Sequence, residues 1–343
     1  MDILLPIMMI LAGFYVGWNI GANDAANCIG TTVGAQISSY RKAVMIMAVF
    51  VILGGVLQGH HVMKTVGKGI VISEAEAYEQ SNGEKPGPEF HALFPDGRLP
   101  DKAILVALLS AGFFVTLATF SSIPVSTSQA IVGGVAGAGI GIVGLNAAYF
   151  KLGVLIKIFG AWVISPVLTM MLAFSLYFLL GLLLKRVSSV RWSRVMAVGV
   201  VGSAAYVSYS LGANDVGNAI GPLLSKFPDK GLWLAMLGGV AMAVGAITFG
   251  SRVTDTVGKS ITPLDYGGAF SAQLAAAFGV HLFSMAGIPV STSQAIVGGV
   301  IGVGLTKGMS AVSGRRIITI FLGWIITPVC AAGFAALVYR LLP

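Results

Sequence analysis

The chain has 343 residues, 56% of them hydrophobic and only 10% charged, with a formal net charge of +8. A soluble globule carries about 25% charged residues, so this composition cannot cover a water-facing surface and excludes an ordinary soluble protein. A nucleic-acid partner is excluded too, because the basic residues fall in scattered short segments rather than in one stripe.

In chain order, apolar runs approaching or exceeding the ~20 residues needed to cross hydrocarbon occupy Leu4–Ile20, Ala43–Gly59, Ala103–Phe120, Val154–Leu184 and Leu232–Gly250. Val154–Leu184 is too long for one ordinary span, and Pro166 is expected to divide it into two helices or kink one. Asp2 and the absence of a basic leader before the first run argue against a cleaved signal peptide. The 46 glycines sit mostly inside apolar runs, where small residues let helices approach closely. Cys28 and Cys330 lie in apolar surroundings without metal-ligand spacing.

The chain also repeats itself. Asn19-Ile-Gly-Ala-Asn-Asp-Ala-Ala-Asn27 returns as Ser210-Leu-Gly-Ala-Asn-Asp-Val-Gly-Asn218, and Thr65-Val-Gly-Lys68 as Thr256-Val-Gly-Lys259, both at an offset of 191. Ile123–Val135 returns without a change as Ile288–Val300 at 165, and Trp162-Val-Ile-Ser-Pro166 as Trp324-Ile-Ile-Thr-Pro328 at 162. The falling offset places an insertion in the first half, and the polar, Gly- and Pro-rich stretch 73–101 supplies it. Two homologous repeats follow, 1–184 and 195–343. The segment 185–194 joins them and carries Lys185, Arg186, Arg191 and Arg194 without an acid. The positive-inside rule makes that linker cytoplasmic, and the acidic insertion is placed on the extracytoplasmic side. The expected fold is an all-α polytopic membrane protein of ten to twelve membrane segments, some broken or re-entrant, with the second repeat inverted relative to the first.

Asp24 and Asp215 each lie near membrane depth, where a carboxylate is costly unless paired, hydrated or bound to a cation. Asn23 and Asn214 stand beside them, and Asn27 and Asn218 follow three residues on, along the same helical face. Carboxylate and amide oxygens suit Na⁺, with Asp24 and Asp215 as its ligands, and an Asp alone can carry H⁺. The rival account makes each Asp an N-cap. In Pro124-Val-Ser-Thr-Ser-Gln129 and Pro289-Val-Ser-Thr-Ser-Gln294, proline and hydroxyl residues precede apolar helices, so each motif should open a half-helix. Such a helix start attracts anions. Ser126, Thr127, Ser128 and Gln129, with Ser291, Thr292, Ser293 and Gln294, are the candidate anion-binding residues, the alternative being ordinary capped helices. His60 and His61 have readings as metal ligands or proton relays, but an interface is preferred because the second copy has no His there. Lys64 and Arg252 can attract anions at a vestibule or equally snorkel or form salt bridges.

These duplicated Gly-Ala-Asn-Asp and Pro-Val-Ser-Thr segments resemble those of the inorganic phosphate transporter (PiT) family, over nearly the whole chain outside 73–101. The resemblance implies a non-enzymatic symporter of phosphate with Na⁺ or H⁺ in the cell membrane, with no cofactor beyond the coupling ion. It further implies transport roles for Asp24 and Asp215 and anion contact at both helix starts. The lipid bilayer and a homodimer are the other expected partners. Many family members carry His where Gln129 and Gln294 stand, and a family Glu falls near Gln273. With fewer proton acceptors, sulfate, a known cargo of the family, stays open beside phosphate. A passive anion channel and an intramembrane aspartyl protease are more remote alternatives.

Overall fold

The computed structural model describes residues 3–72, 87–94, 96–121, 125–184, 189–251, 254, 264–308 and 314–342. Twelve α-helices lie among the described residues. They are α1 (Leu4–Gly34), α2 (Tyr40–Gln58), α3 (His60–Lys68), α4 (Pro88–Leu93), α5 (Asp101–Phe120), α6 (Thr127–Val143), α7 (Leu152–Leu184), α8 (Ser189–Leu224), α9 (Gly231–Phe249), α10 (Tyr266–Met285), α11 (Thr292–Thr306) and α12 (Gly314–Leu341). Eight of them, α1, α2, α5, α7, α8, α9, α10 and α12, are long and apolar enough to cross a membrane, and the chain is a multi-pass membrane protein. Two shorter apolar helices, α6 and α11, have 17 and 15 residues.

Lipid, rather than water, accounts for the surface. Ile156 and Leu183 on α7 and Leu322 and Leu337 on α12 are more than half exposed. An all-helical chain can present such faces to hydrocarbon because its backbone groups are satisfied within each helix. For the same reason Pro166 does not split the Val154–Leu184 run. A single helix runs from Leu152 to Leu184, and Pro166 lies inside it. Thr169 Oγ1 donates to the Pro166 carbonyl at 3.1 Å, and α11 packs along this helix.

The two central helices are α1 and α8, which contact each other. The apolar run of α1 does not end at Ile20. The helix continues through the first signature motif, and residues 19–30 are buried without interruption. Around this pair, α1 packs on α9 and α5, and α8 packs on α2 and α10. The short helices cross over: α6 lies against α12, and α11 lies against α7. Each carries a motif start to the centre, and further along Gly137 of α6 rests on Ala332 of α12 and Gly302 of α11 on Met170 of α7.

Residues 73–86 and 95 of the expected insertion lie outside the described residues. The rest of it contains the six-residue α4, not only irregular chain. Its buried Phe90 and Phe94 gather around Tyr149, with ring centroids 6.5 and 6.0 Å away. Next to α4, Asp101 at the start of α5 binds Arg98 at 2.7 Å and Lys226, just beyond the end of α8, at 2.6 Å. Of the basic linker, residues 185–188 lie outside the described residues, and the chain is helical from Ser189. Arg252 and Thr256–Lys259 also lie outside them.

Candidate functional site

Asp24 lies well inside α1 and Asp215 well inside α8. An N-cap residue has a non-helical backbone, so capping accounts for neither carboxylate. Both are buried, and each is surrounded by neutral donors. Asp24 Oδ1 accepts from Asn27 Nδ2 at 2.8 Å and from Ser293 Oγ at 3.4 Å, while Oδ2 accepts from Thr127 Oγ1 at 2.9 Å. Asp215 Oδ1 accepts from Asn218 Nδ2 at 2.8 Å and from Ser128 Oγ at 3.1 Å, while Oδ2 accepts from Thr292 Oγ1 at 2.9 Å. Each carboxylate therefore takes its Asn from its own helix turn, its threonine hydroxyl from its own half and its serine hydroxyl from the other half.

The helix starts form as their residue types dictate. Ser126 caps α6 by accepting from Gln129 N at 3.3 Å, and Ser291 caps α11 by accepting from Gln294 N at 3.2 Å. The next hydroxyls point at the carboxylates and at the opposite loop. Ser128 Oγ lies 2.6 Å from the Val290 carbonyl, and Ser293 Oγ 3.2 Å from that of Val125. The asparagines stitch the same groups together: Asn27 donates to Ser293 Oγ at 2.8 Å and Asn218 to Ser128 Oγ at 2.7 Å. None of the fourteen candidate site residues is more than 4% exposed.

The signature of the phosphate transporter family matches residues 20–335, which takes in both clusters and both helix starts. The chain belongs to the phosphate transporter family. Among its relatives, a permease of Thermococcus kodakarensis named for phosphate is 28% identical over 98% of this chain and 97% of its own length. The chloroplastic inorganic phosphate transporter 2-1 of Arabidopsis thaliana is 27% identical over 94% of this chain and 70% of its own length. A solved structure, that of the sodium-dependent phosphate transporter, superposes with a TM-score of 0.84 at 26% identity, covering 98% of each chain.

Within this phosphate-transporter-family fold the two halves are not equivalent. Asn214 clamps the α10–α11 connection by donating to the Val290 carbonyl at 2.7 Å and accepting from Val290 N at 3.1 Å. Its counterpart Asn23 instead donates to Thr119 Oγ1 at 3.0 Å, and its own Oδ1 has no partner. The position matching Thr119 is Ser284, whose hydroxyl turns back to the Val280 carbonyl at 2.7 Å. Seven buried side-chain polar atoms among the described residues lack a hydrogen-bond partner. Four are amide oxygens of the duplicated motifs: Asn23 Oδ1, Asn218 Oδ1, Gln129 Oε1 and Gln294 Oε1.

Gln129 and Gln294 do not join the carboxylate clusters. They line a cavity of about 710 Å³ whose other walls include Trp162, Trp324, Pro166 and Pro328. Gln273, where a family acid was expected, has a fully engaged amide. It donates to the Cys28 carbonyl and to Thr32 Oγ1, each at 3.0 Å, and accepts from Ser203 Oγ at 2.8 Å, tying α1, α8 and α10 together. His60 and His61 stack on each other, 3.9 Å between ring centroids, on the exposed start of α3, where Lys64 is exposed as well.

Sequence reasoning assigned no role to Thr119, to the Val290 carbonyl or to Trp162. Only Trp162 left a signal, the duplicated Trp-x-Ile-Ser/Thr-Pro segment. Its Nε1–H donates to the Pro289 carbonyl at 3.1 Å in a buried setting, so a residue of the first half holds the loop that opens α11 in the second. Trp162→Phe keeps the ring and deletes the donor. Leaving a buried carbonyl unpaired costs about 1–3 kcal/mol, so the melting temperature of the purified protein should fall by roughly 2–6 °C. Unchanged melting in detergent would show that this bond holds nothing.

Proposed function

We propose that the chain is a secondary symporter of inorganic phosphate driven by Na⁺. The observation that carries this reading is the donor set buried at the crossing of α1 and α8. Two carboxylates and two unpartnered amide oxygens, Asn23 Oδ1 and Asn218 Oδ1, offer oxygen only, which is what a hard cation takes. Next to them, the starts of α6 and α11 carry backbone N–H groups and the positive ends of helix dipoles, which favour an anion. Asp24, Asp215, Asn23, Asn27, Asn214 and Asn218 are assigned to the cation. The segments Ser126–Gln129 and Ser291–Gln294 are assigned to the anion. The sodium-dependent phosphate transporter that this fold resembles supports Na⁺ over H⁺. An aspartyl protease needs carboxylates that share a proton, whereas each carboxylate here is held by its own Asn, Thr and Ser.

The reading includes two inverted repeats, 1–184 and 195–343. Among the described residues each half holds five apolar helices, α1, α2, α5, α6 and α7 in the first and α8 to α12 in the second. Five crossings are an odd number. If α5–α6 and α10–α11 are re-entrant hairpins, three crossings remain, which is also odd, and an odd number inverts the second copy. Both counts put the 73–101 insertion and the 185–194 linker on opposite sides, as the charge pattern requires. Alternating access then follows from one repeat's elements rocking against the other's around the fixed site.

Reconstituted protein should concentrate radiolabelled phosphate when an inward Na⁺ gradient is imposed, and much less so under a proton gradient alone. Uptake that only equilibrates phosphate would mean a channel. Uptake driven equally by protons would remove Na⁺ from the mechanism.

A further inference from the structure

We infer that Gln129 and Gln294 read the proton on the transported anion and so select phosphate against sulfate. This inference rests on the proposal that a tetrahedral oxyanion binds at the two helix starts. Each glutamine sits three residues after a capping serine, and its backbone N–H is already held by that serine. Both residues are 2% exposed, and both side-chain oxygens have no partner. They line one common cavity whose other walls are almost wholly apolar, and the Trp162 Nε1–H that faces it is already spent on the Pro289 carbonyl. Two buried acceptors left open in one place call for a ligand that brings donors.

The chemistry of the candidate anions then decides. Sulfate at neutral pH has four acceptor oxygens and no proton. Helix-start N–H groups can satisfy it, but it leaves both glutamine oxygens unpaired and facing negative charge. Phosphate at neutral pH keeps at least one P–OH, which can donate to an amide oxygen. The other open acceptors of the motifs, Asn23 Oδ1 and Asn218 Oδ1, are the ones assigned above to the cation. Both carboxylates already take an Asn, a Thr and a Ser donor, and Asn23 and Asn218 stand beside those carboxylates. A site built to hydrogen-bond a substrate's OH rejects the analogue lacking it much more strongly than a merely shaped site does.

The test compares phosphate, arsenate and sulfate, because arsenate shares the acidic OH of phosphate and sulfate lacks it. Binding to the purified full-length protein in Na⁺ buffer is read by ligand-induced thermal stabilisation, alongside competition for phosphate uptake in proteoliposomes. The wild-type protein should bind phosphate and arsenate at least about tenfold more tightly than sulfate, since an unpaired buried acceptor is worth about that factor or more. Gln129→Met and Gln294→Met remove the acceptor at similar volume, and together they should cut the phosphate-to-sulfate ratio about tenfold or more. Gln129→Glu and Gln294→Glu keep an acceptor and should keep the preference, which carries the test if the Met variants do not fold. Equal binding of all three anions to the wild type, an unchanged ratio in the Met variants or a lost preference in the Glu variants would each overturn the inference. Absence of any phosphate binding would instead overturn the transporter reading itself.

Discussion

Asp24→Asn and Asp215→Asn should each abolish Na⁺-driven phosphate uptake, lowering the initial rate about 100-fold or more, while folded protein is recovered at near wild-type yield. The substitution keeps shape and one acceptor oxygen, so Asn27 and Ser293 retain their acceptor at position 24 while the Thr127 hydroxyl can turn to accept from the new NH₂. It removes the charge and puts an NH₂ where an oxygen lone pair was. Inside a buried, low-dielectric site, losing one charged partner of an ionic interaction costs about 3–5 kcal/mol, which is a factor of roughly 10²–10⁴ in cation affinity. Asp215→Asn acts in the same way through Asn218, Thr292 and Ser128. The measurement is the initial uptake rate in proteoliposomes as a function of Na⁺ concentration. Both variants taking up phosphate with the wild-type Na⁺ dependence would remove the carboxylates from coupling.

The residue types of this buried cluster were legible in the sequence, because both motifs appear there twice. Asp24 and Asp215 with their asparagines, and the serine-capped starts of α6 and α11, needed only local spacing to be found. What was not legible is whom they touch. The sequence reading treated the hydroxyls of Thr127, Ser128, Thr292 and Ser293 as free donors awaiting an anion. In the folded chain they are turned to Asp24, Asp215 and the carbonyls of Val125 and Val290. Those partners lie between 77 and 168 positions away in sequence, and two of the four belong to the opposite half. Local periodicity carries no information at that separation. For α7 the sequence left two outcomes open, two helices or one kinked at Pro166, and a single helix forms. A proline's effect in hydrocarbon depends on what a neighbouring helix supplies, and that neighbour is α11 from the other half. The unequal roles of Asn23, paired with Thr119, and Asn214, paired with Val290, are likewise invisible in motifs that match residue for residue.

The glycines of the first motif carry the second large effect. An added Cβ at Gly21 would lie 1.9 Å from the Met242 carbonyl oxygen, and one at Gly245 would lie 1.9 Å from that of Trp18. The same crossing recurs at an offset of 191, where Gly212 would meet Val51 O at 2.1 Å and Gly54 would meet Tyr209 O at 2.0 Å. At these points α1 rests on α9, and α8 rests on α2, backbone against backbone, as small residues permit in membranes. No rotamer change can relieve a clash with a carbonyl oxygen, so Gly21→Ala must push α1 and α9 apart by an ångström or more. Asn23 and Asp24 follow two and three residues later on the same rigid helix, and the bonds of 2.9 and 3.0 Å that tie them to Thr127 and Thr119 on other helices do not survive such a shift. Gly21→Ala and Gly212→Ala are therefore expected to lower uptake per folded molecule at least about tenfold and to reduce the yield of monodisperse protein on size exclusion. Gly160→Ala on α7, where an added methyl meets nothing within 4 Å, should change neither by more than about twofold, since substitutions away from packed contacts are close to neutral. Wild-type uptake in Gly21→Ala would mean that the helices separate without moving the carboxylate, and that the shared glycine serves only close packing.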